Sequence, residues 1–129
     1  MSQRRPILPP GLTPNPAFSP AVQVGELLFI SGQVAQDNDG KTMGVGDCEA
    51  QTRHIMSGIR TIAETAGATI PDVVKITTFL TDIANYQAFS KVRWETFPSS
   101  PPASSTVIVA GLVRPEFLVE AEAVVHIPG

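Results

Sequence analysis

Residues 117–127 read FLVEAEAVVHI. Val119, Ala121, Ala123, Val125 and Ile127 fall on one side of an extended chain, and Leu118, Glu120, Glu122, Val124 and His126 on the other. This period of two marks a β-strand. The first set suits a dry core. The second is too apolar for open water and too charged for burial under helices. The run VVKITTFL, residues 73–80, is rich in β-branched residues and reads as a strand with the same ambiguity, placing Val73, Lys75, Thr77 and Phe79 along one face. Helices on one side of the sheet and a second copy of the chain on the other would satisfy both patterns, leaving polar clefts at the seams. The expected molecule is a homo-oligomer.

Working outward, apolar or small residues at Thr52, Ile55, Met56, Ile59, Ile62, Ala63 and Ala66 keep helical spacing, with Asp47 as N-cap and Gly67 just past the end. A second helix is expected over 85–97, NYQAFSKVRWETF, where prolines at 98, 101 and 102 stop the pattern. AVQVGELLFISGQ, from Ala21, reads as a hairpin turning at Gly25-Glu26, and QDNDGKTMGVGD, residues 36–47, as a loop. A further strand runs from Ser104 to Ala110. The order strand, strand, helix, strand, helix, strand, strand implies an α+β domain, a mostly antiparallel sheet with two helices on one face. Six of the twelve prolines lie in residues 1–20. They forbid a helix there and predict an extended arm that lies over a neighbour and adds nothing to the core, with one domain over 21–129.

At 129 residues, 43% hydrophobic and 16% charged, the chain is long enough for one core without disulfides or a structural metal. Its net charge of −3 and scattered basic residues argue against nucleic acid as a partner. No run approaches the length that spans a bilayer, so no membrane partner is expected. A single cysteine, Cys48, and a proline-rich start where a secretory leader would be apolar predict a cytoplasmic location. His54 and His126 lie far apart, and no dedicated metal site is expected.

Glu120 and Glu122, two apart on one strand face, are the leading candidates for chemistry, because repulsion in a desolvated cleft would raise the pKa of one toward acid/base work. The competing reading is a solvated face whose acids are held by Lys75, Arg93 or Arg114. Ser104-Ser105-Thr106 offers hydroxyls at a strand start without a nucleophile elbow around them. Ser31-Gly32 closes a strand where a ligand or a backbone can approach closely. Cys48 reads as a small buried hydrophobe, His126 as an interface hydrogen-bonder, and Tyr86 and Trp94 as packing residues.

The stretch PASSTVIVAGLVRPEFLVEAEAVV, residues 102–125, resembles the C-terminal signature of the RidA (YjgF, L-PSP endoribonuclease-like) family, whose usual form is P-A-R-S-x-V-x-V, a loop, then V-E-I-E-A. LLFISGQ at 27–33, the Gln51-Thr52-Arg53 helix and VVKITTFLTD at 73–82 extend the likeness. The resemblance implies a fold like the trimeric chorismate mutases, a homotrimer, small-molecule sites at its three inter-subunit clefts, and cofactor-free hydrolysis (deamination) of reactive imines or enamines. It implies Glu120 as the water-positioning acid, Thr106 beside the reacting centre, and Ser31 and Gly32 lining the site. Ser104 stands where the family carries its carboxylate-gripping arginine, Ala21 where it carries an aromatic hydroxyl, and Ser90 where it carries an asparagine. Without that arginine, turnover of 2-iminopropanoate or 2-iminobutanoate is expected to be weak or absent unless Arg93, Arg114 or the arm's Arg5 reaches the cleft from a neighbouring subunit. The alternatives are a metabolite-binding or regulatory trimer without chemistry and, more remotely, a ribonuclease.

Overall fold

In the computed structural model, which describes residues 3–129, the FLVEAEAVVHI stretch becomes a strand inside a six-stranded sheet. In chain order the elements are β1 (Arg4–Ile7), β2 (Ala21–Val24), β3 (Leu27–Gln33), α1 (Cys48–Thr65), β4 (Val73–Leu80), α2 (Tyr86–Thr96), β5 (Ala103–Ile108) and β6 (Val119–His126). The spatial order is β1-β2-β3-β6-β4-β5. Every pair is antiparallel except β4–β5, which runs parallel because α2 carries the chain back between them. Both helices cover one face, which is the α+β architecture expected.

The local reasons are those of the sequence. Asp47 caps α1 by accepting from the Ala50 N–H at 3.0 Å, and Gly67, at φ 87°, takes the left-handed conformation that ends it. Ile55, Ile59 and Ile62 of α1 and Phe89 and Val92 of α2 join Leu28, Ile30, Ile76, Leu80, Val119 and Val125 in one buried cluster. Gln51, 0% exposed, pins α1 to the sheet: its Nε2 donates to the Gly44 and Glu116 carbonyls and its Oε1 accepts from the Leu118 N–H. Arg53 bridges Glu49 and Glu95, and Lys91 also reaches Glu49, tying α2 to α1.

Two expectations need correction. The proline-rich arm is not excluded from the core: Arg4–Ile7 pairs antiparallel with β2, and Ile7 is only 5% exposed. Pro6 is tolerated because β1 is an edge strand, where a missing N–H costs the sheet no internal ladder bond. Val73 does not share a face with Lys75, Thr77 and Phe79. The register shifts between Val73 and Lys75, and this bulge turns Val73 into the core, 2% exposed, leaving Val74 outside.

The alternation in β6 is borne out, with Val119, Ala121, Ala123 and Val125 buried against the helices. The opposite face carries Glu120, Glu122, Thr77, Phe79, Phe29 and Leu27 and has no helix over it. Val24, Leu27, Phe29 and Val107 are large apolar side chains exposed on the single chain.

Candidate active site

The register sorts the candidate residues. In the parallel ladder Ser104 pairs with Ile76, Thr106 with Thr78 and Ile108 with Leu80, so these three β5 side chains lie on the helix-covered side. Across the antiparallel ladder Phe79 pairs with Glu120 and Thr77 with Glu122, which puts both carboxylates on the open side. One chain therefore holds two candidate half-sites, on opposite faces of its sheet.

The first half-site centres on Arg93. Tyr86, Ser90 and Arg93 follow one another at i, i+4 and i+7 along α2 and project from one face toward β5. Arg93 Nη1 donates to Ser104 Oγ at 3.0 Å, and Nη2 donates to the Tyr86 hydroxyl at 3.1 Å and to Ser90 Oγ at 3.2 Å. Its guanidinium also lies 5.0 Å from the Phe89 ring centre and 5.7 Å from that of Tyr86. Among the described residues no carboxylate forms an ion pair with Arg93. Three neutral hydroxyls thus orient a cation and leave its charge uncompensated. Hollows of about 470 Å³, lined by Ile83, Tyr86, Gln87, Thr106 and Ile108, and of about 320 Å³, lined by Arg93, Trp94, Phe97 and Ser104 among others, flank it. Among the described residues the buried Thr106 Oγ1 and Thr78 Oγ1 find no hydrogen-bond partner. Most buried hydroxyls in folded proteins have a partner, so these two stand out.

The second half-site is Glu120 over Gly32. A side chain at Gly32 would collide with the Glu120 carboxylate, so glycine is what lets the acid lie across β3. Burial first, and the neighbouring Glu122 second, push the Glu120 carboxyl above its ordinary value. The reading in which a cation holds this acid finds no support: Lys75 Nζ donates to Ser105, Arg93 to the hydroxyls, and Arg114 to the Gly40 carbonyl at 2.6 Å.

The remaining candidates separate from these clusters. Arg114 is spent on the 36–47 loop, through Gly40 and Thr42, and packs over Phe117. Ser31 adjoins Gly32, but its hydroxyl already donates to the Ser19 carbonyl at 2.6 Å. His126 lies 3.3 Å from Glu26. Cys48 is buried and its thiol is pushed up by desolvation, as a small buried hydrophobe would be. Trp94 is not a packing residue in the single chain, being 74% exposed, and Tyr86 packs on Phe89 while presenting its hydroxyl to Arg93. The missed signal was the joint polar spacing of Tyr86, Ser90 and Arg93 on one helix face, since Ser90 and Arg93 were singled out separately and Tyr86 only as a packing residue.

Residues 11–127 match the family described as Endoribonuclease L-PSP. The chain belongs to that family. Solved structures agree over nearly the full length. A yeast protein, YEO7, is 27% identical with a TM-score of 0.90, the match covering 98% of this chain and 100% of that one. A protein of unknown function from the conserved Rid family of Yersinia pestis is 29% identical at TM-score 0.89, covering 96% and 99%. RidA from an Antarctic Psychrobacter is 29% identical at TM-score 0.86, covering 95% and 99%. The L-PSP/RidA membership implied by residues 102–125 is thereby shown, and so is the fold.

Proposed function

We propose that the protein is a homotrimer that hydrolyses a reactive imine or enamine of a small carboxylic acid, in clefts where the Arg93 half-site of one copy faces the Glu120 half-site of the next. The observation that carries this reading is the uncompensated Arg93 guanidinium beside Ser104. It offers, from α2, the cation absent at position 104, and it does so within the same chain. Charge-assisted pairing would fix the substrate carboxylate there. Thr106, which lines the larger hollow, would lie beside the reacting group, and the half-buried Glu120, with its raised affinity for a proton, would take one from water. The apolar open face, with Phe29 and Leu27 exposed, favours closure by another copy.

Ribonuclease chemistry has less support. The chain is acidic, and its two histidines have other partners, the Gln36 carbonyl for His54 and Glu26 for His126.

The test is ammonia release from 2-iminobutanoate generated in situ by a threonine dehydratase, with the oligomer mass measured in parallel. Turnover above solvent hydrolysis is expected from a species three times the 13.7 kDa chain mass. Arg93→Ala and Glu120→Gln should each be inactive alone. Refolded together, they should regain about a quarter of wild-type activity, the share of mixed clefts with both groups intact. A monomer, or no gain on mixing, refutes the shared cleft. Binding of 2-oxobutanoate without any turnover would instead establish the non-catalytic trimer.

A further inference from the structure

Beside Arg93 stands one more titratable group, the Tyr86 phenol. Its ring packs at 6.4 Å and 56° on Phe89, while its hydroxyl sits 3.1 Å from Arg93 Nη2. Together with Thr106 it lines the larger hollow, otherwise walled by Ile83, Gln87 and Ile108. In a 2-imino acid the nitrogen sits on the carbon next to the carboxylate, so a ligand whose carboxylate met Arg93 would bring that nitrogen toward this hydroxyl. The Arg93 hydrogen bond and charge hold the phenol below its ordinary value, against the opposing effect of burial. Among the described residues Arg93 is the charged group that acts on it, with the Ser90 hydroxyl as neutral neighbour. A phenol beside a cation parts with its proton more readily.

Resting on the hydrolase reading above, we propose that Tyr86 is a catalytic proton donor to the substrate nitrogen. Water adds through its oxygen to the imine carbon and gives a proton to Glu120 of the neighbouring copy. The C=N electron pair moves onto nitrogen, which takes the phenolic proton. The phenolate then removes the proton of the new hydroxyl as C=O forms, and the C–N pair departs on nitrogen, which takes the proton held by Glu120. Imine and water become oxo acid and ammonia, and both side chains return to their starting states.

The sequence makes this directly readable, because Tyr86 is its single tyrosine and Trp94, at the edge of the second hollow, its single tryptophan. Tyr86→Phe keeps the ring and removes the hydroxyl. The expected result is a fall in kcat on 2-iminobutanoate of at least about 100-fold. The KM, and the Kd for 2-oxobutanoate read from Trp94 fluorescence, should stay within about threefold, since no charge-assisted contact is removed. In the wild type, the alkaline limb of kcat/KM should coincide with phenolate formation in the free enzyme, followed by ultraviolet absorbance. Tyr86→Phe with wild-type kcat, in a protein that Glu120→Gln inactivates, overturns the inference and leaves the hydrolase reading standing. So does a change confined to KM and Kd, which would make the phenol only a support for Arg93, or an alkaline limb displaced from the phenol's titration. No turnover by the wild type removes the hydrolase reading, and this inference with it.

Discussion

Replacing Arg93 with alanine separates a ligand-binding role from a structural one, because the two losses differ in size. In the unliganded chain Arg93 contributes cation–π contacts with Phe89 and Tyr86, each worth about 0.5–1 kcal/mol. The hydroxyls it holds lie at an accessible edge, where water can replace the guanidinium, so the fold should lose no more than about 2 kcal/mol. Binding should lose more. Two charge-assisted bonds to a carboxylate, at about 1.5–3 kcal/mol each, make about 3–6 kcal/mol, or about two to four decades in Kd. The assay is a 2-oxobutanoate titration followed by Trp94 fluorescence, with urea unfolding of the same variant as control. Arg93→Lys should fall between the two, keeping the charge and losing the fork. A stable Arg93→Ala protein that binds within about threefold of wild type would refute the argument, because the uncompensated cation would then have no ligand to answer it.

Gly32→Ala should displace the Glu120 carboxylate and lower kcat at least about tenfold, with Trp94-detected binding retained, as measured by steady-state kinetics. Because burial raises the Glu120 pKa, the folded state binds the proton more tightly than the unfolded chain. That stabilisation is complete below the unfolded value near 4.5 and is lost as pH rises through the higher folded value. Glu120→Gln should therefore be more stable than wild type at neutral pH and lose that advantage below about pH 4, as read by Tm against pH. Gln51→Leu strands the Gly44 and Glu116 carbonyls and the Leu118 N–H, at about 1–3 kcal/mol for each group left without water. Urea denaturation should show a loss of at least about 3 kcal/mol.

The periodicities carried most of the architecture, since burial follows them directly: Ile55, Ile59 and Ile62 at helical spacing and Val119 to Val125 at strand spacing all reach the core. What escaped depends on neighbours. The four residues of β1 carry no pattern of their own and become a strand only because β2 offers an edge. Val73 changes face through a bulge that period-two counting cannot register. At the candidate site Glu120 and Gly32 were legible because a carboxylate and a glycine are conspicuous in strands. Arg93 could be named only as one of several candidate cations and Tyr86 only as a packing residue, because a helix face says nothing of the β5 hydroxyl standing opposite until the chain has folded.

The arm that pairs with β2 also sets how the sheet ends. β1 presents Arg4, Arg5 and Pro6 at the outermost margin, two like charges and a residue unable to donate, a combination that discourages any further strand from adding there. Deleting the segment before Ala21 would uncover the β2 margin and vacate the slot filled by Ile7. A trimming that looks harmless on paper would turn a closed border into a template for end-to-end polymerisation.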